Sequence, residues 1–336
     1  MKKRVTVDEV AKKAGVSMMT VSRAINNKDG VGEKTRQRVL QIANEMGYRP
    51  SNLARSLATD RTATIGLIVP DISNPFFSQI AHGVETLAFE AGYTVFLLNT
   101  DENVDREIAV LNSLWEKRVD GMILCSSRLE QADLVERLTH FPAIVLINRQ
   151  FSAEVNNVCT FNIDDQQVAK LAIDHLVATG HKNIAFIAGP QHSVSSQERL
   201  KGYQESLAAH GLQVKESYIE HCTPNTDGGY SAAAKLLKSH HEISAFFAFN
   251  DLTATGVIRA CTDLHLQVPD DVAVIGVDDI PLASLVTPAL STIRIDKRKL
   301  GASAMNMLTA LMDGKQIEKP QQNVLPKLIV RQSTVS

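Results

Sequence analysis

The apolar positions of this chain change period near residue 60, and the change divides the sequence in two. Up to that point they recur at helical spacing. Val7, Val10, Ala11 and Ala14 stand at i, i+3, i+4 and i+7, which predicts a first helix over 6–14. Thr6 suits its start, Glu9 completes a capping box three residues on, and Gly15 allows the left-handed turn that ends it. Ser17 caps a second helix over 18–26, with Val21, Ala24 and Ile25 inward and Met19, Thr20, Ser22, Arg23 and Asn26 outward. Met18 can turn either way. A third helix over 34–46 closes the bundle with Val39, Leu40, Ala43 and Met46; Gly32 is an acceptable cap and Gly47 a stop.

From Thr64 onward, apolar runs alternate with amphipathic helices. Strands are predicted over 64–69, 94–98, 121–125 and 143–147, with helices over 76–91, 106–117 and 129–139. After a break near 150–157 the alternation resumes. Strands over 184–188, 245–248 and 273–277 separate helices over 166–179, 197–210, 230–238 and 252–263. Near-continuous apolar strands between helices mean parallel sheets covered on both faces. The expected fold class is a small all-α helix-turn-helix head plus a two-lobed α/β core with parallel sheets.

Charge sharpens this division. Residues 1–60 hold 12 Lys/Arg against 6 Asp/Glu, a net of +6; the whole chain carries −2, so the remainder carries −8. A basic head on an acidic body suggests that the head alone meets phosphate. Cys125, Cys159, Cys222 and Cys261 lie far apart, with no C-x-x-C pair, which fits buried reduced thiols better than disulfides or zinc. The basic start lacks the apolar stretch of an export signal, and no apolar run reaches the roughly 18–20 residues of a membrane span. The expectation is a soluble cytoplasmic protein without metal or cofactor.

Two short helices joined by a glycine turn fit a helix-turn-helix, whose second helix enters the major groove; a small protein-binding bundle shares the pattern. The exact residues carry more. Val5 through Ser17, then Thr20-Val21-Ser22-Arg23, Gly47-Tyr48-Arg49-Pro50 and Asn52-Leu53-Ala54-Arg55-Ser56-Leu57-Ala58, resemble the head of the LacI/GalR family of bacterial transcriptional regulators. The resemblance implies that positions 18 and 19 set much of the operator choice. Both are methionine, a poor hydrogen-bond partner that can press on a thymine methyl. It further implies DNA contacts from Thr6, Ser17, Thr20, Ser22, Arg23, Asn26, Tyr48, Asn52, Ala54, Arg55 and Leu57. The stretch 52–59 is too short for a stable isolated helix. In the resembled family it folds on DNA, and a leucine matching Leu57 wedges into the minor groove.

The resemblance extends to the body, which matches a periplasmic-binding-protein-like core. The implied boundaries are a head over 1–49, a hinge over 50–61 and a core over 62–336. The first lobe takes about 62–160 and 292–322, the second about 161–291 and 323–331. Ligands of open α/β sheets bind beyond the carboxyl ends of the strands. Those ends bring Asp71, Asn74, Asn99–Asp101, Ser126-Ser127, Asn148-Arg149, the loop at Ser195–Arg199, Asn250-Asp251 and Asp278-Asp279 toward one cleft, with Phe76 and Phe77 as apolar walls. Asn or Asp after a strand also caps helices, so each has a structural alternative. The resemblance places Arg199, Asn250 and Asp278 where sugar-responsive members hold ligand hydroxyls, which argues against a purine. Arg149 either adds a charge suited to a sugar acid or sugar phosphate, or pairs with a carboxylate of the body.

Enzyme and transport functions find less support. No G-x-G-x-x-G follows a strand, and no P-loop, H-E-x-x-H or G-x-S-x-G is present. A transport binding protein would need an export signal and no DNA head. The expected molecule is a bacterial regulator, nucleoid-associated when bound, dimeric on double-stranded operator DNA and controlled by a small sugar-like effector. The last residues carry no heptads, which favours a dimer over a tail-made tetramer.

Overall fold

The computed structural model describes residues 5–48, 61–151 and 155–335 and divides into two units, Met1–Ala63 and Thr64–Ser336. Among its described residues the first unit has three helices: α1 (Val7–Ala14), α2 (Met18–Ile25) and α3 (Glu33–Glu45). Thr6 and Glu9 form the capping box, and Gly15 sits at φ 64°. Val10, Val21 and Val39 are fully buried together with Ala11, Ala14, Ala24 and Ala43. Leu40, expected inward, is 44% exposed; Ile42, one step round the helix from Ala43, packs against the core in its company. Two arginines of α3 satisfy the carbonyls that the short helices leave open. Arg36 donates to Ala24 O and Lys28 O at 3.2 and 2.9 Å, and Arg38 to Ala14 O at 2.7 Å.

The second unit has two six-stranded sheets. Its first six elements alternate: β1 (Thr64–Val69), α4 (Pro75–Glu90), β2 (Thr94–Asn99), α5 (Val104–Glu116), β3 (Gly121–Cys125) and α6 (Gln131–Leu138). They are followed by β4 (Ile144–Ile147) and β5 (Val158–Ile163), which with β11 (Gln321–Val324) make the order β11-β5-β4-β3-β1-β2. The second lobe runs α7 (Asp165–Ala178), β6 (Ile184–Ala188), α8 (Val194–Ala209), β7 (Ile219–His221), α9 (Thr226–Ser239), β8 (Ala245–Ala248), α10 (Asp251–Asp263), β9 (Ala273–Asp278) and β10 (Ser291–Arg294). With β12 (Lys327–Ile329) it forms the order β12-β10-β9-β8-β6-β7. All pairings are parallel except β10 with β12. A last long helix, α11 (Lys297–Met312), packs on α4 of the first lobe.

The chain therefore crosses between lobes after Ile163, after Arg294 and after Val324, slightly later than the expected 160, 291 and 322. Each strand keeps its full length in one sheet before the chain leaves. Elements β5, β7, β10, α11, β11 and β12 lie where no alternation was assigned. Helices α8 and α9 start earlier than 197 and 230 because Ser193 and Asn225 cap them, accepting from Ser196 N and Gly228 N.

Helices α9 and α10 touch backbone to backbone. A Cβ at Gly256 would lie 2.1 Å from Thr226 O, and one at Gly229 2.2 Å from Thr253 O. Alanine in a helix is otherwise favoured over glycine by about 1 kcal/mol. Gly256→Ala is nevertheless expected to destabilise the core by about 1–3 kcal/mol, seen as a lower urea midpoint; a raised midpoint would contradict the close approach.

Candidate functional site

Two surfaces carry chemistry, one in each unit. In the head, α2 is fixed from within by buried Val21 and Ala24. Ser17 Oγ accepts from Thr20 N at 3.1 Å and lies 2.9 Å from Thr20 Oγ1, so both hydroxyls serve the helix start. Asn26 Nδ2 donates to Ser22 O at 2.9 Å and serves its end. Thr6 is likewise engaged, with its N–H on Glu9 Oε2 at 2.8 Å. Tyr48 is half-buried against the head's core. Outward stand Ser22, Arg23 and the two methionines, exposed at 52% for Met18 and 65% for Met19. Met18 thus turns to solvent rather than inward. Asn52, Ala54, Arg55 and Leu57 lie outside the described residues.

The second surface is a cleft between the lobes, built from strand ends. After β1, Asn74 caps α4 by accepting from Phe76 N at 2.9 Å. This seats Phe76 and Phe77 edge to face, ring centroids 5.1 Å apart, as one wall. Ser126 and Asn148 leave β3 and β4 with φ 46° and 53°, left-handed conformations that cost about 1–3 kcal/mol each. Both are buried and line the cleft. Asn148 Nδ2 donates to Ser195 Oγ at 2.6 Å, joining first lobe to second.

From the second lobe comes Arg199, 4% exposed. Its Nε donates to Asp165 Oδ1 at 2.8 Å, Nη1 donates to Phe249 O, and the guanidinium lies 4.7 Å over the Phe249 ring. Burial raises the pKa of Asp165, against the pull of Arg199. Asp278 ends β9 at φ 109° and lines the cleft. Burial lifts its carboxyl from 3.8 to about 7, against Arg199 and Lys297. Among the described residues no donor sits on that carboxylate. Lys297, at the start of α11, donates to Asp278 O and, at 2.9 Å, to Asp279 O, a second tie between lobes.

The partners of four expected residues engage their side chains elsewhere. Asn250 lines the cleft, but its Oδ1 accepts from Thr253 N at 2.8 Å and its Nδ2 donates to Pro224 O at 3.0 Å, so its amide serves helix α10 and a loop. Asp251 turns away to Thr292 Oγ1 at 2.5 Å and Ile280 N at 2.8 Å. Asp279 bonds Arg294 and Arg331, each at 2.6 Å. Arg149 is absent from the lining; its Nη2 donates to Leu129 O at 2.7 Å, near Glu130 and Glu107.

The cation that does line the cleft from the first lobe is Arg128. It grips Glu102 through Nε at 2.6 Å and Nη2 at 3.1 Å, and Ser126 O through Nη1 at 2.7 Å. It follows the β3 end by three residues, as Arg149 follows the β4 end by two. Only the fold separates the two, because Glu107 accepts from Arg128 N at 2.9 Å and sets that loop's course. Phe249 was also unforeseen. The enclosed space is about 40 Å³, well below the roughly 300 Å³ of a ligand pocket. A larger groove of about 760 Å³, lined by Val155, Leu311 and Ile317 among others, lies elsewhere and holds none of these charges.

A helix-turn-helix unit followed by a two-lobed α/β core with a polar interlobe cleft defines a ligand-responsive class of DNA-binding protein. The chain belongs to the LacI family of bacterial regulatory proteins: residues 6–51 match that family's model, and residues 62–327 match the model of periplasmic binding proteins and the sugar binding domain of the LacI family. It is similar to catabolite control protein A of Priestia megaterium, 37% identical over 331 residues covering 98% of this chain and 99% of that one. It is 35% identical to the ribose operon repressor of Halalkalibacterium halodurans, covering 98% and 97%. Among solved structures, a Lac repressor dimer bound to operator and the anti-inducer ONPF matches with TM-score 0.87 and 29% identity over 99% of this chain and all of that one. The regulator CelR in complex with cellobiose matches with TM-score 0.73 and 30% identity, covering 98% and 100%. The chain is accordingly a DNA-binding transcriptional regulator and not an enzyme. Among the described residues no helix is long and apolar enough to cross a membrane.

Between 3.8 and about 7 the folded protein keeps a proton on Asp278 that the unfolded chain has released. Stability therefore falls as pH rises through that window and levels off above it. Asp278→Asn removes this loss. The variant is expected to gain about 2–3 kcal/mol on the parent between about pH 5 and about pH 8, measured by urea unfolding at both; a pH-independent difference would refute it.

Proposed function

We propose that this chain represses transcription as a homodimer on a nearly two-fold symmetric operator, and that a small sugar, sugar acid or sugar phosphate in the interlobe cleft lowers its operator affinity. The observation that carries the effector class is that Arg199 and Asp278 line one buried cleft together. A guanidinium fork and a carboxyl near its titration point supply donor and acceptor at fixed positions, which suits a polyol. Arg128 adds a second guanidinium that an anionic group can reach by competing with Glu102. The relatives point the same way: CelR was solved with cellobiose and the Lac repressor as a dimer on operator. A dimer presents two heads to two half-sites, and Met18 and Met19 meet bases by apolar contact. The protein works in the cytoplasm, on the nucleoid when bound.

Control follows from the ties between lobes. A ligand that separates Asn148 from Ser195 favours one lobe arrangement over another. Operator affinity then shifts by its differential affinity for the two. The test is operator binding by the full chain against a panel of sugars, sugar acids and sugar phosphates. One member is expected to weaken binding at least about tenfold, within the usual range of allosteric coupling. Arg199→Lys, which keeps the charge and loses the fork, should bind operator as the parent does and lose that response. A panel that leaves operator binding unchanged, or a true effector that tightens it, contradicts the proposal. Leu57→Ala should weaken binding to operator far more than to random duplex, as removal of a wedge between base steps requires; equal losses would argue for a plain linker.

A further inference from the structure

The sulfur atoms of this chain are unevenly placed. Of its eight methionines, Met122 and Met305 are buried at 0% and 1%, and Met46, Met307 and Met312 are half-buried. Among the methionines of the described residues, only Met18 and Met19 are exposed, at 52% and 65%. They are adjacent and form the first two residues of α2. That turn carries the groups nearest base edges in a helix-turn-helix. The cysteines are withdrawn instead: Cys125, Cys159 and Cys261 are buried and Cys222 half-buried. Burial pushes their thiols up, Cys159 and Cys222 to about 11, Cys261 to about 12 and Cys125 higher still. Thiolates, the usual first target of a two-electron oxidant, are therefore scarce at neutral pH.

We propose that Met18 and Met19 form an oxidation-sensitive modification site, at which oxygen transfer from a peroxide to the exposed thioethers releases the head from its operator. The proposal rests on α2 being the helix that reads DNA. A thioether lone pair attacks one peroxide oxygen. The S–O bond forms as the O–O bond breaks, the sulfur is oxidised to a sulfoxide, and the other oxygen leaves as water after taking up the shifted proton. The product is polar, chiral and a strong acceptor where the parent side chain was apolar and pliable. Pressed against a thymine methyl or a base edge, it must give up water without finding a donor. The helix itself survives, because its anchors Val21 and Ala24 and its cap Ser17 are untouched. The step is reversible by methionine sulfoxide reductases.

The test uses the full chain and an operator duplex selected in vitro by the reduced protein. Hydrogen peroxide is added in steps, oxygen addition is mapped by peptide mass spectrometry, and binding is followed by fluorescence anisotropy. Oxygen should appear first at Met18 and Met19, and operator affinity should fall at least about tenfold, as the loss of one or two base contacts requires. Bound operator should shield both residues, and reductase should restore binding. Met18→Leu/Met19→Leu, tested on the duplex that it selects, should bind independently of peroxide. First oxidation elsewhere, unchanged affinity after oxidation of both residues, or an equal loss in the leucine variant overturns the proposal. If reduced Met18→Ala/Met19→Ala selects and binds duplex as the parent does, the two methionines do not read DNA, and the proposal falls with that assignment.

Discussion

The Arg199 guanidinium sits where little water reaches it, and the cleft is organised around keeping it there. A buried cation is stable only if paired and hydrogen-bonded. Asp165 at the start of α7 supplies the counter-charge, Phe249 O a second acceptor, and the Phe249 ring a polarisable face. Asp165 follows β5 of the first sheet and Phe249 follows β8 of the second, so the arginine on α8 ties two loops together. Its charge, with that of Lys297, is also what limits the rise of Asp278. Asn148, reaching over from the first lobe to Ser195, closes the arrangement without adding charge.

The sequence shows the architecture because period is a local property. Buried parallel strands such as Ile65–Val69 and Ala245–Ala248 are apolar without interruption, and helices such as α1 carry one apolar stripe. The elements that escaped notice lack that signature. Strand β11 reads Gln-Gln-Asn-Val and β7 Ile-Glu-His. They are edge strands, held by neighbours far along the chain. Strand β5 is apolar but interrupted by Thr160 and Asn162.

Site residues follow the same logic. Strand ends are visible from the sequence, so Ser126, Asn148, Arg199 and Asp278 could be collected at one place. Which way a side chain turns once there depends on partners that are distant in sequence. Arg149 finds Leu129 O, Asp251 finds Thr292 forty-one residues on, and Asn250 bonds the Pro224 carbonyl. In the head the partners are three or four residues away, and the capping roles of Thr6 and Ser17 are legible for that reason.

The three crossings between the lobes have a consequence for synthesis. The first sheet lacks its edge strand β11, and α4 its partner α11, until residues beyond 297 have been made. The second sheet waits for β12. Neither lobe can finish while the chain is still short, so the core assembles late and nearly as a whole. Among the described residues, the head's own core draws only on Val5 to Tyr48. On a growing chain, the part that meets DNA matures before the part that governs it. A ribosome that stalls midway leaves a folded head on an unfinished core, with no cleft through which a small molecule could command it.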